Sequence, residues 1–470
     1  MKPADISERN PSLERSALIV ATLTSFMGPF MMSSVNVALP KIQADLNMDA
    51  VQLSWIATSY LLAIAIGLIP AGKIADISGR KKVFTWGLVI FTVTSFVTAF
   101  VSTPQMLITM RVLQGLGGSM FVTTGMAILT SIFPPNRRGR AIGLYVSAVY
   151  VGLSAGPFFG GLLTSYFGWR SIFLIMLPFG LFSLVTTISF LKGEWKGEPG
   201  QKFDIGGCLL YAVSILALVY GATRLPDMIG VVLVIAGVIL FVIFFRSQLR
   251  ARYPVFDVSL FAENRPFTFS SMAALLNYST TFSVTFLISL YLQYIKGMDP
   301  KSAGTVLMVQ PVMMAVLSPV VGRLSDRIEP RLLATVGMMI TVIGVFLFSL
   351  LGADTGVFLI AANLFFMGIG FALFSSPNMT AIMGTVEPRH YGLASGTVST
   401  MRLLGQMASM AIATVVLAMI VGREVITPDK YPLFLSSLQT VFMISTALCV
   451  VGVYFSWFRG TVLPPESPGR

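Results

Sequence analysis

The chain is written as long apolar runs separated by short polar breaks, with the charged residues gathered in the breaks. Runs occupy 17–40, 51–71, 83–101, 104–128, 141–164, 169–191, 205–222 and 228–245. Others occupy 267–295, 302–321, 332–351, 356–374, 391–421 and 433–458. At about 1.5 Å of rise per residue, each run is long enough to cross a hydrocarbon core of about 30 Å as a helix. The pattern predicts an all-α integral membrane protein with fourteen spans, of which the seventh and eighth are the shortest.

The polar breaks alternate in charge. If the N-terminus is cytoplasmic, 23 of the 32 Lys and Arg residues fall at the termini and in the even-numbered breaks, 7 fall on the other side, counting Arg170 at the very edge of its run, and 2, Arg111 and Arg402, lie well within spans. Clusters at Arg80-Lys81-Lys82, at Arg137-Arg138-Gly139-Arg140 and from Arg246 to Arg252 all land on the N-terminal side. Basic residues accumulate on the cytoplasmic side of membrane proteins, so both termini are expected there, in the cytoplasmic (inner) membrane.

Composition excludes other classes. Of 470 residues, 55% are hydrophobic and 11% charged, with mean hydropathy +0.82, so the main solvent must be lipid. The net charge of +12 lies in short breaks without interleaved aromatics, which is no footprint for nucleic acid. Cys208 and Cys449 both lie in apolar runs, and His390 is the only histidine. A disulfide framework, a metal site, a histidine-based catalytic centre and a cofactor are therefore not expected. Residues 1–16 are polar and mixed in charge, unlike a cleavable signal. No Gly-x-x-x-x-Gly-Lys-Ser/Thr loop appears, so ATP is not the expected energy source.

The chain repeats itself. Gly72-Lys73-Ile74-Ala75-Asp76 recurs as Gly322-Arg323-Leu324-Ser325-Asp326, and Gly139-Arg140-Ala141-Ile142-Gly143 as Gly392-Leu393-Ala394-Ser395-Gly396. Both offsets correspond to eight helices. The reading is two six-helix bundles, 17–191 and 267–458, related by an axis along the membrane normal. Two extra spans then fall in the linker 192–266, between cytoplasmic tails 1–16 and 459–470.

These residues carry a resemblance. Gly72 to Lys82 is similar to the loop 2–3 signature of the major facilitator superfamily, and Arg111-Val112-Leu113-Gln114-Gly115 to its helix 4 motif. Gly143, Gly152, Gly156-Pro157 and Gly160-Gly161 resemble its helix 5 antiporter motif. Trp169-Arg170 and Asn36-Val37-Ala38-Leu39-Pro40 resemble patterns of its fourteen-spanner drug:proton antiporters. The resemblance implies the major facilitator fold, alternating access and proton-driven export. It also marks a departure, because Met31 stands where that family's helix 1 usually carries an Asp.

Candidate residues follow. Gly72, Gly79 and Gly322 permit tight turns or approaches, and Asp76, Arg80 and Asp326 can latch helices at the rim by charge-assisted hydrogen bonds. Gly152, Gly156 and Gly160 share one smooth helix face, and Pro157 frees the carbonyl of Leu153, so this segment reads as a conformational gate. Substrate-cavity candidates are Met27, Met31, Arg111, Asn277, Tyr278, Phe282 and Arg402, since intramembrane arginines are costly and Met is adaptable. No span carries a carboxylate, so proton exchange falls to the rim at Asp76, Asp204, Asp326 and His390.

The expected activity is secondary export of small amphipathic or hydrophobic compounds by a monomer, without an enzymatic centre. The alternative is a facilitator or exporter of a specific, anionic metabolite, with Arg111 and Arg402 meeting the anion. A non-transporting membrane sensor or scaffold is a third reading, which intact motifs in both halves oppose.

Overall fold

A computed structural model describes residues 11–197, 200–225, 227–251, 261, 264–325, 327–386, 391–422 and 424–460. Among the described residues fourteen long α-helical elements follow one another. They are α1 (Pro11–Leu46), α2 (Ala50–Ser78), α3 (Arg80–Thr98), α4 (Pro104–Ile132), α5 (Pro135–Phe167), α6 (Ser171–Phe190) and α7 (Ile205–Thr223). Then come α8 (Met228–Arg250), α9 (Arg265–Tyr294), α10 (Pro300–Leu324), α11 (Pro330–Ser349), α12 (Val357–Gly384), α13 (Tyr391–Ile420) and α14 (Tyr431–Trp457). Two are interrupted: α6 at Ile175 and α10 at Met308. Thirteen of the described helices are long and apolar enough to cross a membrane; α3, which opens on Arg80, Lys81 and Lys82, is the fourteenth and packs along α4.

Local chemistry sets the helix starts. Asp49 and Gln52 form a reciprocal capping box on α2. Thr103 accepts from Met106 N at the start of α4, where Pro104 supplies a first-turn φ without needing a donor. Asn264 and Asp299 cap α9 and α10. Several helices run past the apolar limits read from the sequence: α1 begins at Pro11 and α12 continues to Gly384. Apolar length reports the thickness of the lipid, whereas backbone hydrogen bonding carries a helix on until a cap or turn stops it.

Packing follows the repeat. In the first half α1 packs with α5 and α6, α2 with α4, and α3 with α4 and α6. Eight helices on, α9 packs with α13 and α14, α10 with α12, and α11 with α12 and α14. The cross-pairs obey the same rule, α5 meeting α10 as α13 meets α2. Helices α7 and α8 pack on each other beside α2 and α13, where Tyr211, Ile215, Val219 and Phe244 meet Leu62, Ala65 and Met407. The fold is thus two six-helix bundles with an inserted pair.

Candidate functional site

The two halves are held together at the end of the molecule that bears the α1–α2 turn. Ser289 Oγ donates to Asn36 O (2.8 Å) and Gln293 Nε2 to Val37 O (2.9 Å), while Tyr294 bonds Gln43, all joining α9 to α1. Ala50 N donates to Glu424 O (2.9 Å), and Thr58 faces Thr414 at 3.4 Å between α2 and α13. On α5 the glycines divide the work. A Cβ at Gly152 or Gly160 would stand 2.6 Å from the α1 backbone at Phe26 and Ser34, and one at Gly156 would overlap Ser33. A Cβ at Gly161, or at Gly304 across the boundary, would overlap the backbone of Pro300 or Pro157 respectively. The antiporter-like segment therefore touches both α1 within its own half and α10 of the other.

Beyond this seal lies a polar, aromatic centre shared by both halves. Tyr150 of α5 hydrogen-bonds Ser375 of α12 at 2.9 Å. The Tyr278 ring of α9 packs edge-on to Phe371 of α12, with centroids 5.7 Å apart. Tyr150, Leu153 and Tyr278 pack together with Met314 and Leu317 of α10. Gly405 lets α13 approach α9, since a Cβ there would stand 2.8 Å from that of Tyr278. One turn earlier Arg402, half-buried, lies within electrostatic reach of Tyr145 and Tyr150 across the boundary.

The two intramembrane arginines differ in kind. Arg111 is fully buried inside the first half, donating through Nε to Ile56 O (3.1 Å) and through Nη1 to Gln114 Oε1 (2.6 Å). Gln114 passes the chain on to Ser95 Oγ at 2.7 Å, and the guanidinium lies 4.0 Å from the centroid of the Tyr60 ring. Arg111 Nη2 and Tyr60 Oη remain unpartnered. Arg402, by contrast, makes no hydrogen bond or ion pair to any described residue. Within the fourteen helices the carboxylates are Glu14, Asp45 and Asp76, all near helix ends.

The other candidates are distributed as follows. Tyr278 belongs to the shared centre, Arg402 lies within electrostatic reach of its Tyr150, and Phe282 lies one turn beyond Tyr278. Met27 and Met31 are fully buried on α1, and Asn277 is fully buried with neither side-chain atom bonded. Asp326 and His390 lie outside the described residues. Asp204 caps α7 through Gly207 N (2.8 Å) and accepts from Gln248 (3.0 Å).

At the opposite rim, Asp76 pairs with Arg80 at 2.7 Å, and Arg80 reaches α4 at Ala127 O (3.1 Å) and Ser131 Oγ (2.6 Å). The linker after α6 straps this turn. Glu194 accepts from the backbone of Lys81 (2.8 Å) and Lys82 (3.1 Å), capping α3, and Arg80 N donates to Trp195 O (2.8 Å). Gly79, at φ 130°, adopts a backbone that other residues resist, and a side chain there would strike Glu194. Gly72 lies close to Thr123 as its counterpart Gly322 lies close to Ser376. In the second half a different arginine performs the tie: Arg459 bonds Asn378 Oδ1 (2.8 Å) and Pro330 O (2.9 Å). Burial pushes that guanidinium down to about 10, which leaves it charged at neutral pH.

Tyr150, Phe371, Ser375, Glu194 and Arg459 escape a reading of the sequence. With 36 Phe and 13 Tyr in the chain, no single ring is distinguished before helices are packed. Only Gln114, three residues from Arg111 and so on the same helix face, carried a usable signal.

Comparison with known proteins agrees with this architecture. The family model of the Major Facilitator Superfamily matches residues 21–262 and 270–470. The riboflavin transporter RibZ of Clostridioides difficile (strain 630) is 30% identical over 445 residues, 94% of this chain and 96% of the relative. The tetracenomycin C resistance and export protein of Streptomyces glaucescens is 30% identical, covering 84% of this chain and 74% of its own. The multidrug resistance protein Stp of Mycobacterium tuberculosis (strain ATCC 25618 / H37Rv) is 31% identical, covering 82% and 72%. Among solved structures, the peptide transporter POT in complex with sulfate superposes with a TM-score of 0.69 at 15% identity, over 93% of this chain and 94% of the other. A bacterial homolog of the human lysosomal transporter Spinster, inward-facing and unoccupied, gives 0.68 at 15% identity, over 96% and 98%.

Proposed function

Because the chain belongs to the major facilitator superfamily, within its drug-efflux family, we propose that it exports small amphipathic or hydrophobic compounds across the cytoplasmic membrane by alternating access. It is a multi-pass membrane transporter and not an enzyme. The observation that carries the mechanism is the asymmetry about the shared centre. The halves are tightly joined at the α1–α2 end, while Tyr150 and Tyr278 pack together on the boundary with Arg402 in electrostatic reach of Tyr150.

In this reading the α1–α2 end is external, both termini are cytoplasmic, and the working unit is a monomer. The bundles are the units that rock, from 17–191 and 267–458, with α7 and α8 in the linker. Alternating access then requires the α5–α10 and α2–α13 contacts to part while the cytoplasmic rims close. Transport is proton-linked through the rim groups Asp76, Asp204, Asp326 and His390. A hydrated rim group couples loosely to the gradient. RibZ, named for one metabolite, favours a second reading in which a single native compound is exported.

The test is efflux from liposomes loaded with a panel of labelled compounds, with and without an imposed pH gradient. Export accelerated by the gradient, with measurable gradient-independent exchange, is expected. Tight fixed-stoichiometry proton movement that survives Asp76→Asn, Asp204→Asn, Asp326→Asn and His390→Gln together would refute rim coupling, and no movement of any compound would refute transport.

A further inference from the structure

Arg402 carries a charge with no hydrogen-bond or ion-pair partner among the described residues. Holding an arginine inside the membrane costs about 2.5–3.5 kcal/mol on insertion scales, and chains that carry one normally satisfy it with a carboxylate, carbonyl or water. Arg111 follows that rule, with Ile56, Gln114 and the Tyr60 ring around it. Arg402 does not. It stands twelve residues into a 30-residue helix, half-buried, with no hydrogen bond or ion pair to a described residue. No described helix brings a carboxylate to its depth. Tyr145 and Tyr150 of the opposite half lie within its electrostatic reach instead, and Tyr150 packs in one cluster with Tyr278 and Phe371 of Arg402's own half.

We propose that Arg402, Tyr150, Tyr278 and Phe371 form a site for a planar aromatic anion. The ring of the ligand lies against Tyr278 and Phe371, and its carboxylate or other acidic group meets the Arg402 guanidinium. The chemistry is complementary on both counts. A guanidinium offers paired donors in a fork that suits planar oxyanions, and flat rings favour offset or edge contact with aromatic walls. The site draws residues from both bundles, so an occupant bridges the boundary that must shear during the cycle. Its negative charge also supplies the counter-ion that no described residue provides. This inference rests on the transport reading and narrows its substrate class.

The experiment uses the full-length protein in lipid nanodiscs and two isosteric probes, 2-naphthoate and its neutral 2-naphthamide, with binding followed by probe fluorescence. Wild-type protein is expected to bind the anion about tenfold or more tightly than the amide, the range of a charge-assisted hydrogen bond. Arg402→Gln should bring that ratio near one, and Arg402→Lys should keep part of it through a point charge. Tyr278→Leu should weaken both probes alike. Equal binding of the two probes by wild type overturns the proposal without needing any variant to fold, and so does a preference that survives Arg402→Gln. The two readings separate cleanly. Efflux of a lipophilic dye by protein that shows no anion preference removes the substrate class and leaves export standing. Anion binding without export of either probe from liposomes does the reverse.

Discussion

The carbonyl of Pro157 on α5 lies against Gly304 on α10 so closely that a single methyl group at Gly304 would overlap it. The two residues belong to different halves, and glycine is what allows the two backbones to meet. This is the close approach that small residues permit between helices in lipid, placed here at the boundary that alternating access must open. Gly304→Leu is therefore expected to disfavour the conformation described here and to cut turnover at least tenfold. The check is transport in liposomes, together with impermeant-reagent labelling of a cysteine at position 301, which should rise. Normal turnover would remove the α5–α10 contact from the gate.

Gly156→Leu tests the other face of the same segment. A side chain at Gly156 would overlap Ser33 of α1, inside one half. Loss of transport is expected together with a lowered thermal midpoint, because this contact holds a bundle together rather than dividing two. Gly304→Leu should leave the midpoint far less changed, and similar midpoints for the two variants would erase that distinction.

Asp76→Asn is expected to slow transport several-fold while leaving substrate binding within about twofold. The Asp76–Arg80 pair is part-exposed, so its direct worth is about 0–1 kcal/mol, and Arg80 keeps its bonds to Ala127 and Ser131. Arg80→Ala should consequently slow transport more than Asp76→Asn. Initial efflux rates and equilibrium binding on the same preparations decide the order; the reverse order would make Asp76 the primary element.

Glu194 is expected to matter although it lies in a linker. Its carboxylate accepts two first-turn N–H groups of α3, so Glu194→Ala should cost about 1 kcal/mol, as other lost N-caps do. Differential scanning fluorimetry would register this as a lower midpoint, with Glu194→Asp losing less. An unchanged midpoint would mean water replaces the cap.

The α1–α2 end carries a pH-sensitive tie. Asp45 accepts from Arg170 at 2.5 Å and from Trp169 Nε1 at 3.0 Å, and these bonds, Arg170 foremost, hold its pKa below the ordinary carboxylate value. A depressed carboxylate contributes stability above its unfolded pKa, and loses it as pH falls through the folded one. Trp169 fluorescence, with the other tryptophans replaced, should therefore stay constant through neutral and mildly acid pH and change only below the usual Asp range. Asp45→Asn should abolish that step; a step at higher pH would contradict the tie.

Much of this protein was legible without a structure because lipid imposes one-dimensional rules. A span must be apolar for some twenty residues and helical throughout, so runs and their number can be read directly. Duplication was legible for a similar reason, since the recurrence of Gly72–Asp76 as Gly322–Asp326 needs no geometry. Among the candidates, Tyr278 and Arg402 were reachable as a mid-span ring and a mid-span charge. Their partners Tyr150, Phe371 and Ser375 were not, because aromatic and hydroxyl residues recur on every helix and period alone does not say which face meets which neighbour.

The sequence by itself determined the solvent, the helices, the eightfold helix offset and the presence of two intramembrane arginines without intramembrane acids. Tertiary structure alone decided that those arginines are unlike. Arg111 reaches Ile56, 55 positions away along the chain, and helix packing chooses among faces that hydropathy leaves equivalent. Packing surrounds Arg111 with Ile56, Gln114 and Tyr60, and leaves Arg402 facing the tyrosines of the opposite half.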